Sequence, residues 1–232
     1  MKVKTPKTTI KNWSADDRPR EKMLLKGKDA LSDAELIAIL IGSGNRRESA
    51  VELSRRILTS SRNSLSALSR LSIEELSQFN GIGNAKAIAI VAALELGRRK
   101  RLAKAMPEEG VKYSKDVFEL MQPRIGDLPH EEFWVIYLNN ANKVIHTAQL
   151  SKGGITGTLV DVRLLLKEAL VNSATAIILS HNHPSGTLRP STADKEITEK
   201  IKNACLSMDI KLLDHIIVTE KSYFSFQDEG II

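Results

Sequence analysis

His181 and His183 stand two residues apart, just past the apolar run Ala174-Thr-Ala-Ile-Ile-Leu179. That run reads as a buried strand. In extended chain, residues two apart project from one face, so both imidazoles point at the same spot. Pro184 follows His183 and biases it towards the extended region. A turn-rich piece, residues 184–190, leads to a helical pattern that opens at Ser191 and puts Asp194 in its first turn. Two imidazole nitrogens and one carboxylate form the ligand set of a catalytic zinc site with one position left for water. Zinc held this way lowers the pKa of its water towards neutrality. A plainer reading exists. Ser191-Thr-Ala-Asp194 also fits a helix capping box, with Asp in place of the usual Glu or Gln, and histidines near a strand end are often ordinary surface residues. The coincidence of HxHP, a turn and PSxxD at one strand-to-helix junction favours the metal.

At these residues the chain resembles a known family. His181-x-His183 with Ser191 and Asp194 at this spacing matches the JAMM motif of MPN-type zinc metalloproteases. The fuller match is to bacterial RadC-like proteins, which carry that domain at the C-terminus. Arg18-Pro-Arg-Glu-Lys-Met, Leu31-Ser-Asp-Ala-Glu-Leu, Ser180-His-Asn-His-Pro-Ser-Gly and Leu213-Asp-His-Ile all look like signatures of that family, so the resemblance covers nearly the whole chain. It implies a cytidine-deaminase-like sheet sandwiched by helices. It also implies a glutamate on an upstream strand that is not a zinc ligand and serves as general acid/base. Glu131 and Glu132 both lie at that place; the family's spacing, two residues before Phe133, favours Glu131. Neighbours on a strand face opposite sides, so at most one of them reaches the water. The resemblance gives Ser191 the role of stabilising the tetrahedral oxyanion; the same serine can also be the helix N-cap.

The elements that must position these residues follow from patterning. Asp17 is a plausible cap for a first helix, with Pro19 in its first turn. Ser32 with Glu35 makes a capping box for a second, which Gly42-Ser-Gly44 stops. Ala50 to Leu58 reads as a third, with Val51, Leu53, Ile57 and Leu58 inward. Ser72 to Phe79 is a short helix, and a long one runs from Ala85 to about Arg99. No strand is expected before residue 110. The linker falls at about 102–112, where Met106-Pro-Glu-Glu-Gly110 breaks the helix. Beyond it, a short helix from Asp116 to Met121 precedes a strand, Phe133–Leu138, an Asn-rich turn and a return strand from Val144 to Leu150. Ser151-Lys-Gly-Gly154 is expected to be flexible and to border the groove. Thr158 and Asp161 can cap a helix to about Leu170, with Leu164, Leu165 and Ala169 buried. After the metal strand come a helix from Ser191 to about Ser207, a strand from Lys211 to Thr219 and a last strand at Tyr223–Phe226. The whole is α/β (α+β overall): an all-helical domain over 1–104 and a sheet-and-helix domain over 110–232.

Between the short helix and the long one lies Asn80-Gly81-Ile82-Gly83-Asn84. This resembles the helix-hairpin-helix module of many DNA-repair proteins, spanning about 70–100. Glycines at 81 and 83 let a phosphate approach the backbone, the free amides of the second helix attract it, and Lys86 can pair with it. Such binding is non-specific and falls with salt. The alternative is a packing turn without a ligand, since Phe79-Asn80 replaces the Leu-Pro of strong binders. Charge bears on the choice. Of 232 residues, 34 are Lys or Arg and 28 Asp or Glu, a net charge of +6. Residues 1–105 hold 21 of the basic and 11 of the acidic ones, about +10, which leaves about −4 for the rest. That asymmetry suits a polyanion, though a solvated basic surface would look the same.

Two function classes survive. One is a zinc-dependent peptidase or isopeptidase of JAMM type acting on a peptide or protein. The other is a DNA-binding protein of repair or recombination whose metal site is a nuclease or structural. A zinc deaminase needs a downstream cysteine pair, and only Cys205 is present. A serine hydrolase elbow, GxSxG, is missing. The lone cysteine excludes an intramolecular disulfide and a Cys-based zinc cluster. His215 is expected to be a satisfied structural histidine on a strand; His130 and His146 lack a supporting pattern. With no signal-like or membrane-length apolar run, a cytoplasmic location is expected.

Overall fold

Hydroxyl caps start most helices of the N-terminal half. The computed structural model describes residue 10 and residues 13–104, 110–152 and 160–232. Its contacts divide the chain into two compact units, Met1–Gly97 and Arg98–Ile232. In the first, α1 spans Pro19–Lys26, α2 Asp33–Ile41, α3 Ala50–Ser60, α4 Leu65–Ser69 and α5 Ile73–Ser77; α6, Asn84–Lys104, runs on into the second. Ser32, Ser49 and Ser72 each form a full capping box, with Glu35, Glu52 and Glu75, and Ser64 caps α4. Each box satisfies two amides that a helix start leaves orphaned. Asp17 does not cap α1. Arg18 is the N-cap without a side-chain bond, and Asp17 instead accepts from the Ser14 hydroxyl, closing a 3-10 turn at Ala15–Asp17. Gly42, at φ +69°, ends α2 in a conformation that glycine adopts without strain.

The first unit buries one apolar cluster, in which Leu53, Ile57, Leu68, Leu76 and Ala87 are fully inaccessible. Ile37 and Ile41 from α2 and Val51 and Leu53 from α3 meet there at helical spacing. Among the described residues this unit holds no strand. No helix among the described residues is long and apolar enough to cross a membrane.

The second unit is a five-stranded mixed sheet with helices on both faces. α7 is Ser114–Met121, β1 Glu132–Leu138, β2 Val144–Lys152, α8 Val162–Val171, β3 Ala176–Asn182, α9 Thr192–Leu206, β4 Lys211–Val218 and β5 Tyr223–Ser225. The strand order is β2-β1-β3-β4-β5. Only β3 and β4 run parallel, joined by α9 as a crossover; the other neighbours are antiparallel. β3 is buried at every position, as a central strand covered on both faces must be.

Alternation sorts the two faces. Phe133, Val135 and Tyr137 of β1 and Ile177 and Leu179 of β3 pack with Leu165 and Ala169 of α8 and Ile201 and Cys205 of α9. Ile136, Leu138, Ala176 and Ile178 pack on the other side with Val117, Leu120 and Met121 of α7. His181 continues the first set. On α8 the buried pair is Leu165 and Ala169, whereas Leu164, expected inside, is 51% exposed. Asp161 caps this helix through the Arg163 amide, and the stripe that packs on the sheet is Val162, Leu165, Leu166 and Ala169, which leaves Leu164 about 100° round the helix from Leu165. Thr158, Gly153 and Gly154 lie outside the described residues.

One irregularity decides the site. Between Ile177/Ile178 of β3 the register with β4 jumps, from Leu212 to Asp214, leaving Leu213 as an extra residue. A bulge of this kind shifts the alternation by one. Leu212 packs on the His181 face and Leu213 on the other, so unbroken alternation would turn residue 215 away. The extra residue brings His215 round to face His181.

The burial map makes a stability contrast. Leu53→Ala, at a fully buried position of α3, is expected to lower the unfolding free energy by about 2–5 kcal/mol. Leu24→Ala, at a position 86% exposed, should change it by no more than about 0.5 kcal/mol. Urea melts of the two variants check this.

Candidate metal centre

β3 and the first turn of α9 bring His181, His183 and Asp194 together. The two Nε2 atoms are 3.0 Å apart. An Asp194 carboxylate oxygen lies 3.3 Å from Nε2 of His181, and the other lies 3.6 Å from Nε2 of His183. Among the described residues these three form the one group whose ligand atoms converge in the manner of a metal site. Tetrahedral zinc with bonds of about 2.0–2.1 Å spaces its ligand atoms about 3.3 Å apart, so the set fits that ion in size as well as in type.

Hydrogen-bond polarity shows what the cluster lacks. Nδ1 of His183 lies 2.7 Å from the Thr187 carbonyl, which can only accept, so Nδ1 donates. In the neutral ring, Nε2 of His183 is therefore a lone pair. A longer chain fixes His181. Thr198, fully buried on α9, donates its hydroxyl proton to the Asp194 carbonyl. Its oxygen is left to accept from Nδ1 of His215 at 2.6 Å. Nε2 of His215 must then accept from Nδ1 of His181 at 2.8 Å. Nε2 of His181 is thereby a lone pair too. Two lone pairs and a carboxylate face one another with no proton to share when both rings are neutral, and a cation resolves that arrangement.

The proton affinities agree. Burial is the main cause that pushes His181 down to about 4, with Asp194 opposing and His183 assisting. Burial likewise holds His215 well below its usual value, reinforced by His181 and His183 and opposed by Asp194. Burial would lower His183 as well. Hydrogen bonds to Asp194 and Thr187, and the charges of Asp194 and Glu131, overcome it and raise the ring above its usual value. Burial works to raise the Asp194 carboxyl, but His183, His181 and Ser191 outweigh it and hold it well below the carboxylate range. His183 is thus the ring that takes up a proton, and a metal would displace that proton.

Ser191 and Asp194 form the capping box that the sequence suggested, and the box's carboxylate is the one that faces the two imidazoles. The Ser191 hydroxyl donates to Asp194 Oδ2 at 2.7 Å and accepts from the Asp194 amide at 3.1 Å. The Ser191 amide donates to the same oxygen at 2.6 Å. The hydroxyl's only proton is thus spent on Asp194. Ser191 orients the carboxylate here, and an oxyanion contact would require that bond to break.

The two glutamates separate cleanly. Glu132 is buried and committed: its carboxylate lies 3.0 Å from Nε2 of His130 and accepts from the Trp134 indole at 2.9 Å. Trp134 belongs to the face away from the histidines. Phe133, in register with His181, stacks nearly parallel on that imidazole. Glu131, two residues earlier, shares Phe133's side by alternation, and its charge reaches His183. Cys205 is buried on α9, with its thiol raised to about 11 by burial. His146 pairs with Glu168 at 3.6 Å.

The sequence puts His215 on a strand as a structural histidine without naming its partner, and it does not single out Thr198. Thr198 stands four residues after Asp194, one helical turn on, and that spacing is the only signal the sequence offers.

The hairpin residues have other partners. The Lys86 ammonium donates to the Ser43, Gly44 and Gly81 carbonyls, tying the hairpin to the end of α2. Its donors are spent within the chain rather than held out to a phosphate. Gly81 has φ +100°, and a Cβ there would lie 2.7 Å from that of Asn45, so packing alone demands glycine. A Cβ on Gly83 would meet open space. Beside the hairpin is a depression of about 520 Å³ lined by Gly44, Asn45, Arg46, Arg47, Asn80 and Gly81.

Comparison with known proteins bears on both units. A family model described as a RadC-like JAB domain matches residues 111–231. One described as UPF0758 N-terminal matches residues 10–88. A UPF0758 protein of Flavobacterium johnsoniae is 64% identical over 222 residues, covering 96% of each chain. One from Porphyromonas gingivalis is 45% identical over 226 residues, covering 97% of this chain and all of that one. One from Streptococcus sanguinis is 39% identical over 211 residues, covering 91% and 92%.

Two predictions follow from the geometry. Thr198→Val keeps the shape but removes the hydroxyl that sets the relay's direction. Zinc affinity, measured against a chromophoric chelator, should fall by about 10- to 100-fold. Gly81→Ala should destabilise the first unit by about 1–3 kcal/mol because its backbone is left-handed and crowded, while Gly83→Ala should change stability by no more than about 1 kcal/mol. Thermal melts compare the pair.

Proposed function

The chain belongs to the RadC-like JAB-domain family, and from that premise we propose that it is a zinc-dependent hydrolase of amide bonds, peptide or isopeptide. The observation that carries the reading is the convergence of His181 Nε2, His183 Nε2 and the Asp194 carboxylate to within 3.0–3.6 Å of one another. His181, His183 and Asp194 would hold the ion. A bound zinc would polarise a substrate carbonyl and lower the pKa of a bound water towards neutrality.

The chain's own residues do the rest. Glu131 accepts the proton of the attacking water and hands it to the leaving amine, which would otherwise depart as an anion. Glu132 cannot take that part, because its carboxylate is held by His130 and Trp134 on the other face. Ser191 keeps Asp194 ionised and aimed at the ion. Thr198 and His215 keep Nδ1 of His181 protonated, so that Nε2 stays a ligand.

A second reading applies to the first unit. Arg46 and Arg47 are exposed at the rim of the depression beside the hairpin, in the half of the chain that carries the positive charge. We propose non-specific contact with a polyanion there, through side chains and the amides that open α6 rather than through Lys86. Replacing both arginines by glutamine should lower affinity for duplex DNA and flatten its salt dependence by about two phosphate contacts.

For the hydrolase reading, Glu131→Gln should keep zinc binding and abolish cleavage of a peptide library, with a loss of at least about 100-fold. Glu132→Gln should leave a measurable rate. Mass spectrometry of the library after incubation reads both. Equal loss in the two variants would contradict the assignment, and no cleavage by zinc-loaded wild-type protein would overturn the reading itself.

A further inference from the structure

Asn182 stands between the two histidines and points to neither. It is 1% exposed, at the last position of β3. Its side-chain oxygen accepts from the Glu132 amide at 2.8 Å, and its side-chain nitrogen donates to the His130 carbonyl at 2.9 Å. Those two groups are the backbone atoms on either side of residue 131. One planar amide therefore brackets the residue that carries the carboxylate.

The register explains why a side chain is used. Backbone pairing of β1 with β3 ends at Phe133↔His181. One step further, Glu132 would oppose Asn182. There the Asn182 amide replaces the missing rungs and carries the pairing past the end of the sheet. On its other side, Asn182 remains in register with Val218 of β4, and the next amide, that of His183, donates to the Val218 carbonyl. The bracket is thus anchored in the strand that bears both imidazoles. A carboxamide is the side chain that offers an acceptor and a donor side by side at this reach.

We propose that Asn182 is a positioning residue that fixes the Glu131 carboxylate relative to the metal ligands, joining the general base to the metal strand. This rests on the hydrolase reading for the meaning of Glu131, but the positional claim has its own measurement. Glu132 supports the same segment from below through His130 and Trp134. Asn182 alone ties that segment to β3 by side-chain bonds among those described.

The experiment loads the full chain with cobalt(II) and records the pseudocontact shift of the Glu131 carboxylate carbon in protein with 13C-labelled glutamate. Glu131→Gln identifies the signal by its loss. Asn182→Asp keeps the shape and replaces the donor facing the His130 carbonyl with an oxygen; Asn182→Ala removes both partners. Cobalt affinity should stay within about threefold of wild type in each, because no ligand is touched. The Glu131 shift should move in both variants while the methyl shifts of Leu179 and Ile216, in the same sheet, stay in place. A Glu131 shift unchanged in both variants would overturn the proposal while leaving the metal site standing. Movement of the sheet methyls together with Glu131 would also overturn it, since the role would then be structural. Failure of wild-type protein to bind cobalt would overturn the metal reading and this inference with it.

Discussion

Everything at the second unit's functional end depends on the direction of four hydrogen bonds. The Thr198 hydroxyl gives its proton to a carbonyl that can only accept, and from that point each donor is forced back to His181. The Thr187 carbonyl forces His183 in the same way. The consequence is a pocket of electron pairs 3.0–3.6 Å apart. Like-signed atoms at that distance in a buried site repel one another unless a proton or a metal sits among them. The raised proton affinity of His183 and the depressed one of Asp194 are the metal-free expression of the same demand.

The fold supplies that arrangement from ordinary parts. A strand places two rings on one face. A crossover helix begins with a capping box, and the box's carboxylate is the third member of the converging group. A one-residue bulge in β4 turns His215 inward. Phe133 and Phe226 flank the imidazoles: Phe133 stacks on His181, and Phe226 stacks on His215. The rings are therefore held by packing as well as by hydrogen bonds, which is what a preorganised site requires.

The convergence of the His-His-Asp group was legible because it is local. His181, His183, Ser191 and Asp194 lie within fourteen residues, and strand and helix periodicities predict how they converge. The capping box at Ser32 was legible for the same reason, and those at Ser49 and Ser72 were available on the same evidence. What supports the site was not legible. His215 meets His181 across 34 residues of sequence, and the bulge that makes this possible leaves no compositional mark. Leu164 fits an apolar helix stripe on paper, yet the stripe that meets the sheet runs through Leu165 and Ala169 and leaves it outside. Lys86 looked like a free cation at a helix start. Three carbonyls from two segments, one of them some forty residues away, claim it instead. Glu131 was separable from Glu132 only in part, because alternation says that they differ without saying which one faces the metal. The partners of Glu132 show only that its carboxylate is held by His130 and Trp134.

X-ray absorption at the zinc edge, on protein loaded with one equivalent of zinc, tests the central claim most directly. A first shell of two imidazole nitrogens and two oxygens, losing one imidazole on His183→Ala, is the result the account requires. A shell containing sulfur, or one unchanged by that substitution, would show that the ion sits elsewhere and that these lone pairs face one another for some other reason.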